Sequence, residues 1–120
     1  MFTRAHLESL VAEMSIRTSR PLSTSADVVL RVFGEVDAAC VAGLRRAIAD
    51  ALSFEGGPVV LDFAGTTFID AAGLGTLVWF AKSTGDAGRA GRLRNVSDGM
   101  QHLLDLSGVQ RCFDAVPAPV

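Results

Sequence analysis

A chain of 120 residues, 49% hydrophobic and 20% charged, can bury one core but not two, so it points to one soluble domain. Its 11 basic and 13 acidic side chains give a net charge of -2 and are scattered, so no electrostatic footprint for nucleic acid appears. The longest apolar runs, such as Leu74 to Ala81, fall far short of the roughly 20 residues that cross a bilayer. Glu8 and Glu13 sit where a secretory signal would need an uninterrupted apolar core, so a cytoplasmic protein is expected.

Phe2 to Met14 places Leu7, Leu10, Val11 and Met14 at helical spacing, which predicts a short amphipathic helix. Ser15 to Pro21 alternates weakly as an edge strand would, and Leu22 to Asp27 reads as a turn. Val28 to Phe33 is a strand closed by Gly34. From Asp37 the period becomes helical: Val41, Leu44, Ile48 and Leu52 share one stripe, Asp37 is placed as the cap, and Gly56-Gly57-Pro58 ends the helix. Val59 to Phe63 is almost wholly apolar, the mark of a parallel strand covered on both faces. Thr66 to Ile69 reads as a strand-exit loop before Asp70, and Leu74, Leu77, Val78 and Ala81 define a second helix that Gly85 stops. Arg92 to Val96 is a weak strand, Ser97 caps a third helix carrying Met100, Leu103 and Leu104, Gly108 stops it, and Cys112 to Val116 is a last strand. The order gives one α/β domain with a mixed, mostly parallel sheet of four to five strands and helices packed against it.

Side chains suited to catalysis are sparse. His6 and His102 have no companion at a metal-ligand spacing such as H-E-x-x-H, so no metal is expected. Gly73-Leu74-Gly75 lacks the third glycine and the distal acid of a dinucleotide fingerprint, and no G-x-S-x-G, Walker A or C-x-x-C pattern occurs. Neither a cofactor nor an enzymatic activity is expected. Cys40 and Cys112 lie far apart and read as two reduced, half-buried thiols.

The most distinctive stretch is Thr67 to Gly75. Alone, Asp70 would be an ordinary helix cap, and Gly73 and Gly75 close-packing positions. Taken together, Gly34-Glu35-Val36-Asp37, Leu61-Asp62-Phe63, Phe68 to Gly75, Asn95-Val96-Ser97 and Leu104 to Val109 resemble, in order, the STAS domain of bacterial anti-sigma factor antagonists. The resemblance covers residues 14–116, leaving 1–13 as a helical extension and 117–120 as a tail; Met14 is an alternative start.

What the resemblance implies is a non-enzymatic antagonist that binds an anti-sigma factor of the Bergerat-fold serine kinase type and so frees a sigma factor. Its family loop usually reads D-S-S-G-L-G, with the second small hydroxyl residue phosphorylated by that kinase. Carried over by position, the acceptor place is Ala72, preceded by Ala71, and neither can take a phosphoryl group. The family acids correspond to Asp37 and Asp70, and Gly73, Leu74 and Gly75 keep the turn and the docking surface. Thr66, Thr67 and Thr76 are the nearby hydroxyls, read as loop and helix-interior residues. A monomer or weak dimer is expected. The alternative is a STAS subunit of a stressosome-like assembly or of a lipid-transport ATPase complex.

Overall fold

In the computed structural model, residues 27–114 are described. The expected N-terminal helix, the edge strand at 15–21, and both terminal segments of the domain division therefore lie outside the described residues. β1 (Val28–Val36) opens the fold with a run of β-branched and aliphatic residues. It does not close at Gly34. The glycine adopts φ 77, a conformation open to a residue without a Cβ, and the strand bulges past it to pair Glu35 with Phe68 and Val36 with Ile69.

α1 (Val41–Leu52) buries Leu44, Ala47, Ile48 and Ala51, one face at helical spacing. It ends four residues before Gly56, and one carbonyl of its last turn and two in the loop beyond are held by a side chain from outside the helix. Arg89 donates from Nη1 to Ala51 O at 3.0 Å and Phe54 O at 2.8 Å, and from Nε to Gly57 O at 2.8 Å. Arg89 Nη2 is buried with no hydrogen-bond partner, and burial lowers the guanidinium pKa from its ordinary value.

β2 (Val59–Ile69) is longer than its apolar core, because Thr66 to Ile69 continue the strand where the sequence pattern reads as an exit loop. That extension exists because the bulged end of β1 offers it a partner. α2 (Ala71–Asp86) runs through Gly85, the expected stop, to a cap at Ala87. β3 (Gly91–Arg94) starts one residue earlier than expected and ends sooner, because Asn95 at φ 58 turns the chain away. α3 (Asp98–Ser107) is capped as its sequence predicts: Ser97 Oγ accepts from Met100 N at 3.1 Å, and Gly108 ends it at φ 80.

The expected last strand is corrected over its described part. Cys112 to Asp114 belong to a short helix, α4 (Arg111–Asp114), whose turn is closed by Cys112 N to Val109 O at 2.9 Å and Phe113 N to Gln110 O at 3.0 Å. Phe113 packs its ring against Phe80 at 6.1 Å, which favours the helical turn over an extended segment.

Among the described residues the sheet has three strands in the order β1-β2-β3, all parallel. Val28, Leu30 and Val32 of β1 and Val59, Leu61 and Phe63 of β2 share a core with Leu44, Ile48, Leu77, Phe80 and Leu104, so α1, α2 and α3 lie on one face. The other face carries Val29 and Val60 beside the polar row Arg31, Asp62 and Arg94. Asp62 accepts from Ala64 N at 2.9 Å, Asn95 Nδ2 at 3.0 Å and Arg94 Nη2 at 3.0 Å. Burial alone would raise its pKa, but these three donors outweigh burial and hold the carboxyl below its ordinary value. No described helix is long and apolar enough to cross a membrane.

Candidate functional site

Because Val36 pairs with Ile69, the residues that follow them, Asp37 and Asp70, leave the sheet side by side at its carboxyl edge. Open parallel sheets place their sites at that edge, since the strand-to-helix connections gather there. Asp70 is the only residue between β2 and α2. Its backbone is extended, at φ -111 and ψ -172, and its Oδ1 accepts from Gly73 N at 3.0 Å. The main chain adds two ties: Asp70 N donates to Val36 O at 3.2 Å, and Leu74 N donates to Asp70 O at 2.9 Å. Asp70 is thus the helix cap its sequence predicts.

Behind the cap, the two glycines have different roles. A Cβ on Gly73 would lie 2.5 Å from Ile69 Cγ1 and 2.7 Å from Val36 O, so only glycine lets α2 start this close to β1. At Gly75 a Cβ would meet nothing within 4 Å. Gly73 is buried and shapes the site from behind, while Ala71, Gly75 and Val78 face solvent with Ala72 and Leu74 half-exposed. The surface they make is small and apolar.

Asp37 differs from its expected role. α1 begins at Val41 with Cys40 at its N-cap and no side-chain capping bond; Asp37 Oδ1 instead accepts from Ala39 N at 3.0 Å, closing the turn between β1 and α1. Inside that turn the buried Cys40 thiol donates to Glu35 O at 3.1 Å and accepts from Asp37 N at 3.3 Å. Burial raises the thiol pKa above its ordinary value. Cys40 is buried, not half-buried as its sequence suggests. No local pattern separates a thiol that organises a turn from one that fills space. Both cysteines are free.

The nearby hydroxyls divide by environment. Thr76 is fully buried and donates to Ala72 O at 3.0 Å, and Thr66 donates to Val32 O at 2.8 Å. Thr67 is exposed on β2. Beside it opens a groove of about 240 Å³ between the end of β2 and the start of α3, lined by Phe63, Phe68, Ile69, Met100 and Leu103 among others. Phe68 is 53% exposed there. The groove's one trace in the sequence is an aromatic, Phe68, in a stretch that reads as an exit loop. On the outer side of the helices, Arg45 of α1 stacks 5.3 Å over the Trp79 ring of α2.

The sequence also matches a known family: residues 18–118 fit the STAS domain. The chain belongs to the STAS domain family. Among solved structures, this STAS domain is similar to that of the anti-sigma factor antagonist SpoIIAA in its unphosphorylated form, at 25% identity and a TM-score of 0.57. The likeness covers 67% of this chain and 74% of that one. No curated protein matches the chain.

Proposed function

We propose that the chain is an anti-sigma factor antagonist that binds a kinase-type anti-sigma factor in the cytoplasm and releases a sigma factor, acting by interaction and not by catalysis. Membership of the STAS family and the likeness to an antagonist support the role. The observation that carries it is the start of α2, where Asp70 caps a helix turn whose exposed side chains are methyl groups and an aliphatic pair. Asp37, Asp70, Ala71, Ala72, Leu74 and Gly75 supply the docking surface, and Gly73 holds it in place. Phosphate at such a face would add about -2 charge to a surface that must be desolvated. Ala72 removes that possibility at this position, so the chain stays competent to bind and is controlled by its abundance or by another ligand.

The test is a titration of the full chain with a Bergerat-fold anti-sigma kinase in ATP and in ADP, followed by mass spectrometry. Binding in both nucleotides with no phosphate on the chain is the expected result, and Gly75→Glu, which has room in the fold, should abolish it. Phosphorylation of Thr66, Thr67 or Thr76 accompanied by loss of binding, or undiminished binding by Gly75→Glu, would overturn the proposal.

A further inference from the structure

α3 is apolar on two sides. Met100 and Leu104 face the core, while Leu103 and Leu106, neighbours on the helix surface at a spacing of three, are 39% and 72% exposed. A helix that packs only within its own domain ordinarily keeps its outer side polar. Leu103 stands on one wall of the groove and Phe68 on the other, so the exposed side chains and the groove between them form one apolar patch. The groove's volume of about 240 Å³ exceeds the roughly 150 Å³ of a cavity that takes up benzene, which leaves room for one aromatic or branched aliphatic side chain.

The groove ends where the proposed docking surface begins, because Ile69 lines it and Asp70 follows. Its rim is acidic. Glu35 stands across the strand pair from Phe68, Asp70 adjoins Ile69, and Asp98 lies between the lining residues Ser97 and Gly99. α3 carries Asp98 and Asp105 with no lysine or arginine, His102 being its only basic side chain. Arg94, the nearest arginine in the chain, is held at 3.0 Å by Asp62 on the other face of the sheet. We infer that the groove receives an apolar side chain of the anti-sigma factor, flanked there by lysines or arginines, when that protein docks at Asp70 and the start of α2. The inference rests on the proposed function. A second copy of the chain is the poorer occupant, since a symmetric pairing through this patch would set Asp98 and Asp105 against the same carboxylates.

Titration of the full chain with the Bergerat-fold anti-sigma kinase provides the test, with circular dichroism confirming that each variant is folded. Phe68→Ala and Leu103→Glu should each weaken binding roughly tenfold or more. Asp98→Asn should weaken it about threefold and flatten its dependence on salt. Phe54→Ala, which removes a ring 48% exposed just beyond the end of α1, should bind as the unaltered chain does. In the complex of the methyl-labelled chain, nuclear Overhauser contacts from an apolar side chain of the kinase to the Leu103 methyls are expected. Undiminished binding by Phe68→Ala or Leu103→Glu overturns the inference, and the proposed function then stands without it if Gly75→Glu still abolishes binding. A kinase that does not bind the unaltered chain overturns both. Contacts to Phe68 and Leu103 from residues 1–26 or 115–120 of the free chain, or between differently labelled copies, also overturn the inference.

Discussion

Two strands end side by side in this molecule, and each is followed by an aspartate and a helix, yet the two junctions are built differently. At the end of β2, Asp70 caps α2 at once, and the missing side chain of Gly73 lets the helix press against Val36. At the end of β1, Asp37 closes a turn, and α1 waits until Val41, with a buried thiol holding the turn together. Of these two aspartates, only the one at which the chain passes directly from strand to helix is a cap. Where a turn intervenes, the same carboxylate satisfies that turn instead.

The sharpest way to break this contrast is at Gly73. Gly73→Val should cost about 3 kcal/mol or more, because one of the obstructing atoms is the Val36 carbonyl oxygen, which cannot move aside. Gly75→Ala, two residues on and on the opposite, exposed side of the helix, should gain up to about 1 kcal/mol from helix propensity. Urea midpoints of the two variants check both signs.

At the other junction, Cys40→Ala removes a donor and an acceptor and should cost about 1 to 2 kcal/mol at neutral pH. Its pH dependence follows from the raised pKa of the thiol. The unfolded thiol ionises near 9.0 while the buried one keeps its proton, so the unfolded chain binds fewer protons and stability falls as pH rises from there through the folded pKa. Below that window the contribution is fully present. Cys40→Ala should lack this alkaline slope in a series of thermal melts.

The smallest effects compare the two acids. Asp70→Ala loses a cap and should cost about 1 kcal/mol, whereas Asp37→Ala loses one bond to an exposed N-H that water can replace and should cost less than about 0.5 kcal/mol. Chemical denaturation of the pair, measured together, reads the difference directly.

Much of this organisation is local and was legible from the residues. Hydrophobic period separates β1 and β2 from α1, Ser97 and Gly108 bracket α3, and Asp70 announces α2. What escaped depends on neighbours distant in sequence. Thr66 to Ile69 become strand because β1 continues past Gly34 to meet them, and Cys112 to Asp114 become helix because Phe113 finds Phe80. The family's motif order picks out the residues proposed for docking as a set. Their division of labour was not, since Gly73 and Gly75 differ only in what lies behind them.

Arg89 carries one more consequence. It follows α2 in the chain but holds carbonyls at the end of α1 and just beyond, across more than thirty residues of sequence. Helix ends are ordinarily where a fold frays first. Here neither helix can unwind its last turn alone, because losing the grip on Ala51 and Phe54 also frees the segment that leads into β3. The two crossovers are therefore expected to loosen as one cooperative unit, anchored at the edge of the sheet opposite to Asp70, and thermal loosening at that end need not reach the start of α2.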